Sequence, residues 1–190
     1  MVEKWIEHYF DYDFVGFLDD EKKDGKTVAK LSALDDYLDG AFDFFVALGK
    51  NSLRKTVFEK IEAKKCRCIS VIHPSAIVEP DVKLGRGVFI GALTYINSAS
   101  VLGDNTYINN GCVIEHHNII GSHCHVAPRV VTAGGVRIND LCLVGVGSVI
   151  MRGLTIGRNT LIGAASSVLE DTQENGVYYG NPAKYIRERD

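Results

Sequence analysis

The sequence predicts a mainly β chain: a parallel β-helix of hexapeptide repeats, preceded by a small α/β unit. Three observations carry this. From Ile72 to Val168 an aliphatic residue returns at every sixth position, and Thr132 is the one exception in that column. Four residues after each of the earlier column members stands a mostly smaller residue: Ala76, Val82, Val88, Thr94, Ser100, Thr106, Cys112. Residues 1–70 lack the beat and instead alternate strand-like and helix-like stretches. An amphipathic helix repeats near 3.6 residues and an isolated strand near 2, so a strict six belongs to neither. It marks a repeat architecture in which three hexads close one triangular coil of 18 residues and coils stack.

Along the chain, "DFVGFLDD" (13–20) reads as a strand ending in acids, and "DFFVALG" (43–49) as a second strand. "NSLRKTVFEKIEAKK" (51–65) reads as a helix with Asn51 or Ser52 as its N-cap. "CRCISVIHP" (66–74) returns as a strand and hands over to the first hexad. Strands alternating with helices predict parallel pairing in an α/β unit over 1–70, and the β-helix then occupies 71–190. Within the hexads, Gly or Asn often follows the column residue, as at Gly85, Gly91, Asn97 and Gly103. These residues are expected to supply left-handed corners.

Composition narrows the function classes. Hydrophobic content is 46%, charged content 24% and formal net charge −3, with no basic patch interleaved with aromatics. No nucleic-acid partner is expected. No apolar run is long enough for a membrane span, and "MVEKWIEHYF" lacks the apolar core of a secretory signal, so a cytoplasmic location is expected. Five cysteines without a disulfide spacing read as free thiols in a reducing compartment.

Four of the six histidines, His116, His117, His123 and His125, fall within "VIEHHNIIGSHCHVAP" (113–128). Imidazole suits general-base work at neutral pH. It also suits zinc, as in β-helix carbonic anhydrases of the γ class, although those draw their ligands from more distant coils. Positions 18 apart stack, which places Ala92, Asn110, Pro128, Val146 and Ala164 down one corner. Small side chains there leave a shallow channel whose backbone groups could pair with a chain of amides.

Five stretches, "GFLDD", "DFFVALGKNSLR", "IHPSAIVEPDV", "VIEHHNIIGSHCHVAP" and "GVYYGNPAKYI", occur in an order and spacing that resembles a known group. These are the bacterial sugar acetyltransferases related to sialic acid O-acetyltransferase and to the UDP-4-amino-sugar N-acetyltransferases of glycan biosynthesis. The resemblance implies a left-handed β-helix, a Rossmann-like N-terminal domain for the sugar nucleotide, acetyl-CoA as co-substrate without a metal, and a homotrimer with sites between neighbours. It implies His116 as the base, with His117 beside it at the position where the family carries an acid. It implies His125, Val146 and Ala164 as acetyl-CoA contacts, "GNPAK" (180–184) as a segment over the cofactor, and Asp19, Asp20 and Gly49 on the sugar-nucleotide side. The family's domain opens on a strand and a G-x-G-G-H-like loop. This chain starts at what resembles the following helix, so a truncated sugar-nucleotide domain is expected. Either hydroxyl or amine acetylation fits. A binding or scaffold protein of reduced activity is the alternative, and a zinc hydratase a further one.

Overall fold

The computed structural model describes residues 2–21 and 25–189. Among these, seventeen two-residue strands run from Val71–Ile72 to Ser167–Val168, one per hexad. They form three parallel sheets in which residue i pairs with residue i+18, as in Ile96 with Ile114 and Thr132 with Ile150. The first face carries the strands ending at Ile72, Ile90, Ile108, Val126, Val144 and Ile162. The second carries Val78, Ile96, Ile114, Thr132, Ile150 and Val168, and the third Leu84, Leu102, Ile120, Ile138 and Ile156. The column residues fill the prism, fully buried through its middle coils. Each such aliphatic contributes about 2 kcal/mol of transfer free energy, and each coil shields its neighbour.

The smaller residues four positions on do more than fill space. Their hydroxyls and thiols donate to a carbonyl of the next coil: Thr94 Oγ1 to Asn109 O at 2.8 Å, Cys112 Sγ to Ala127 O at 3.1 Å, Cys142 Sγ to Gly157 O at 3.0 Å. All five cysteines are buried and free. Burial pushes the Cys68 thiol up to about 12 and Cys112 to about 11, so these sulfurs stay protonated and inert.

The corners correct one expectation. The left-handed residue is the third after each column member from Leu84 to Ile162, not the first: Gly111, His117, His123, Gly135 and Leu141 have φ of 67°, 59°, 60°, 71° and 64°. The glycine directly after the column serves close stacking instead. A Cβ on Gly145 would stand 2.5 Å from the Ala164 nitrogen in the next coil.

The N-terminal unit is less regular than its sequence pattern. A helix, α1 (Val2–Tyr9), opens it. The stretch 13–20 pairs only at Phe17–Leu18, parallel to Thr27–Ala29. The stretch 43–49 contributes one parallel bridge, Phe44 to Cys68. A 3-10 helix (Leu31–Tyr37) and α2 (Asn51–Ala63) follow their order in sequence. Lys50, not Asn51 or Ser52, is the N-cap of α2, and it makes no side-chain cap bond. Asn51 is inside the helix because its amide is needed elsewhere: it donates to Leu141 O at 3.1 Å and Cys142 O at 2.9 Å on the β-helix.

Arg54, one turn along α2, is fully buried and extends that grip. Its Nε donates to Asn105 O at 3.2 Å, and its Nη2 to His123 O and Cys124 O at 2.9 and 3.0 Å. Residues 105, 123 and 141 are 18 apart, so α2 holds a ladder of carbonyls up one corner. Below it, Ile6, Trp5, Phe14 and Phe45 cover the outward residues Val71, Phe89 and Tyr107 of the first face. At the other end, Val177 and Tyr178 pair with Leu161 and Ile162, and the buried Tyr178 closes the core column. An antiparallel return (Ala183–Glu188) completes this cap.

Candidate active site

His116 and His117 stand on the corner between the second and third faces, after Val113–Ile114 and before Ile119–Ile120. Both are exposed. The His116 ring lies flat over Gly134, the residue 18 positions on: a Cβ there would come within 2.5 Å of the ring's Cε1 and 2.7 Å of Nε2. Any side chain at 134 would displace the ring. Asn118, fully buried, fixes the corner beneath by donating from Nδ2 to the carbonyls of Glu115, His116 and Ala133. Glu115 makes no hydrogen bond to the His116 ring among the described residues; its Oε2 accepts the His116 backbone N–H at 3.4 Å. Its carboxylate accepts from Asn97 Nδ2 at 2.8 Å. The partner of the ring is His117, with Nδ1 atoms 3.0 Å apart. His116 Nε2 takes part in no hydrogen bond among the described residues, so one nitrogen is tethered and the other faces solvent.

His125 is elsewhere. It begins the strand His125–Val126 on the first face, packed edge-on to Tyr107 with ring centroids 6.1 Å apart. Burial pushes its pKa down, the Arg54 charge adds to that, and the nearby Gly49 backbone pulls weakly the other way. Its Nδ1 is nonetheless buried without a hydrogen bond of ordinary geometry, while Nε2 stands 3.5 Å from Asn109 Nδ2. In a triangular prism the corner between two faces is opposite the third, so the core separates His116 from His125 within one chain. His123 is structural: buried, with Nδ1 2.9 Å from Asn105 Nδ2 and its ring edge-on to Phe58.

Val146 and Ala164 are exposed on the corner between the first and second faces, stacked in adjacent coils. The backbone ladder expected there is largely used by the coil stack itself. Gly147 N donates to Pro128 O and Ala165 N to Val146 O. Pro128 has no N–H to offer. What the corner retains is its shape and the second lone pair of each carbonyl. Nearby, Tyr179 from the C-terminal return lies against Gly163, where any Cβ would overlap its ring. "GNPAK" (180–184) forms the turn of this return.

The three residues assigned to the sugar-nucleotide side do not form one cluster. Asp20 Oδ1 accepts the Leu31 N–H at 3.0 Å and Asp19 Oδ1 the Glu21 N–H at 2.9 Å, both turn-stabilising roles. Asp19 also lines a cavity of about 780 Å³ inside the N-terminal unit, walled by Phe14, Phe17, Leu34, Phe44 and Ile61. Gly49 is not among its lining residues and lies by His125. Among the described residues no three His, Cys, Asp or Glu side chains converge as a metal site, and no helix is long and apolar enough to cross a membrane.

Sequence reasoning missed Arg54, Asn118 and Gly134, and it read Asn51 as a helix cap where the side chain instead grips the β-helix. Gly134 alone carried a signal, because it stands one coil beyond His116.

The hexapeptide coils make this a β-helix repeat protein, with an exposed histidine braced on one of its corners. Comparison with known proteins narrows this. The PglD N-terminal domain family matches residues 1–61. The GDP-perosamine N-acetyltransferase of Caulobacter crescentus, solved with CoA and GDP-perosamine, is 35% identical over 85% of this chain and 78% of that one, with a TM-score of 0.81. The acetyltransferase domain of PglB from Neisseria gonorrhoeae, solved with acetyl coenzyme A, is 26% identical over 97% of this chain and 92% of that one, with a TM-score of 0.91. Among curated relatives, the putative colanic acid biosynthesis acetyltransferase WcaF of Escherichia coli K12 is 39% identical over 70 residues, 36% of this chain and 38% of WcaF. The chain belongs to the bacterial sugar acetyltransferases of the hexapeptide-repeat β-helix superfamily.

Proposed function

We propose that the chain transfers acetyl from acetyl-CoA to an amino or hydroxyl group of a nucleotide-linked sugar. The observation that carries this is His116: a ring with one nitrogen tethered at 3.0 Å and the other open at an exposed corner. The acceptor's nitrogen or oxygen attacks the thioester carbonyl while His116 Nε2 removes its proton. The tetrahedral oxyanion collapses, the C–S bond breaks, and the proton passes from His116 to the leaving CoA sulfur. The Caulobacter relative's complex with a nucleotide-linked amino sugar favours an amine acceptor.

The base and the donor contacts of one chain face apart, so the reading places each site between two copies. His116 comes from one, and His125, Val146 and Ala164 from its neighbour. The second face supports such pairing, because its outward residues Ile77, Val113, Val131 and Val149 form an apolar ladder, with Ile77 61% exposed. Three copies around one axis would bury all three ladders and close the ring.

The test is an acetylation assay with acetyl-CoA and nucleotide-linked amino sugars. His116→Ala is expected to lower kcat by about 10²–10⁴-fold and leave acetyl-CoA affinity unchanged. Full turnover in that variant would exclude His116 as the base. Binding of both ligands without any turnover by the parent protein would favour a scaffold role.

A further inference from the structure

The histidine pair has a property that a histidine–carboxylate pair lacks. Its two Nδ1 atoms are 3.0 Å apart, with the rings nearly perpendicular at 88°. Only one proton fits between them. With both rings neutral, either His116 donates and His117 accepts, or the reverse. The first arrangement leaves the lone pair of His116 on Nε2, where the acceptor's proton must go. The second puts a hydrogen on Nε2 and removes the base.

We propose that His117 is the positioning residue of the pair: its Nδ1 accepts the Nδ1–H of His116 and so holds the reactive tautomer. This rests on His116 being the base. A carboxylate at this position could only accept, whereas a neutral imidazole presents one donor and one acceptor, so which ring donates is decided within the pair. In turnover the acceptor's proton lands on His116 Nε2, the Nδ1–H···Nδ1 bond to His117 shares the charge, and the proton leaves with the CoA sulfur.

The corner suits such a device. The His117 N–H is engaged by Ser98 O at 3.0 Å, which fixes the backbone while leaving the ring free. The next two coils place Gly135 and Gly153 at the same left-handed position, so neither adds a side chain there. The charged groups around the corner, by register, are Glu115 on the same coil, Glu79 and Asp81 on the N-terminal side, and Arg137 and Arg152 on the C-terminal side. Glu115 is held by Asn97, Glu79 by the Tyr95 hydroxyl, and Asp81 by the Ala99 N–H. None of these contacts involves an imidazole nitrogen of the pair.

The test uses histidine labelled with 15N in the full chain. Two-bond proton–nitrogen correlations at about pH 8 should show hydrogen on His116 Nδ1 and on His117 Nε2. His117→Gly suits the φ of 59° and should fold; it should move the His116 hydrogen to Nε2 and lower kcat roughly tenfold or more, with KM for acetyl-CoA unchanged. His117→Gln supplies a carbonyl acceptor that does not titrate. It should keep the Nδ1–H tautomer and most of the turnover. An unchanged His116 tautomer in His117→Gly, or loss of the Nδ1–H tautomer in His117→Gln, overturns the proposal. Because the tautomer is read without turnover, loss of His116 as the base would show separately, as undiminished activity in His116→Ala.

Discussion

The β-helix and the N-terminal unit are held by different means. In the β-helix every coil repeats the same contacts: an aliphatic column inside, a ladder of hydroxyls and thiols one layer out, and glycines where coils approach closely. In the N-terminal unit nothing repeats, a cavity of about 780 Å³ lies within, and the attachment combines the polar groups of α2 with one apolar patch, Trp5, Ile6, Phe14 and Phe45 over Val71, Phe89 and Tyr107. Arg54 has no carboxylate partner there. It is satisfied by five neutral acceptors and by the Tyr107 ring, whose centroid is 4.4 Å from its guanidinium carbon. The difference shows that a repeat can stabilise itself coil by coil, while a unit docked on it concentrates its hold in a few residues.

The largest effect on this comparison is expected from Arg54→Met. It leaves the carbonyls of Asn105 and His123 without a donor beneath α2 and takes one of two donors from Cys124 O, which keeps the Tyr107 N–H, and loss of several such bonds should cost more than about 3 kcal/mol. Hydrogen exchange should then rise across residues 2–69 while the β-helix amides stay protected. Uniform loss of protection would mean that the two regions unfold as one.

A smaller effect separates the regions by pH. His123 and His125 both sit at the seam, and burial, as the main cause, lowers the pKa of each. Between their folded values and the ordinary imidazole value the unfolded chain binds more protons. Their contribution is therefore fully present above about pH 6.5 and is lost as pH falls through the folded values. The urea midpoint should drop on acidification below about pH 6.5, and the drop should shrink in a His123→Gln, His125→Gln double variant. An equal drop in both proteins would move the titration away from the seam.

The smallest expected change lies inside the β-helix. Thr132 is the one polar member of the column, fully buried, and its Oγ1 has no partner. Thr132→Val keeps the shape and removes the orphaned hydroxyl, so it should stabilise by about 1 kcal/mol in chemical unfolding. Destabilisation would reveal a partner for that hydroxyl.

The β-helix was legible because its period is local: each Ile or Val at the sixth position states its own place in the prism. The same arithmetic held the key to the site. Nine residues separate His116 from His125, half of an 18-residue coil, so one chain must present them on opposite sides. The left-handed corner was not legible, because its occupants range from Gly135 to His117 to Leu141 and share no chemistry. Nor was Arg54. Nothing near it in sequence marks a buried helix arginine, and its β-helix acceptors are 51, 69 and 70 residues away. The stretches 13–20 and 43–49 carry strand-like composition, yet pair only at Phe17–Leu18 and Phe44, since pairing depends on neighbours that composition does not name.

The central claim is that base and donor site come from different copies, and subunit complementation tests it most directly. His116→Ala removes the proposed base, and Val146→Trp fills the corner proposed for the donor, so each variant alone should be inactive. Co-expressed, they should form hybrid assemblies in which some sites draw His116 from one copy and Val146 from the other. Random mixing predicts recovery of about a quarter of the parent activity. No recovery, with hybrid assemblies demonstrated by mass, would contradict a shared site and place base and donor in the same chain.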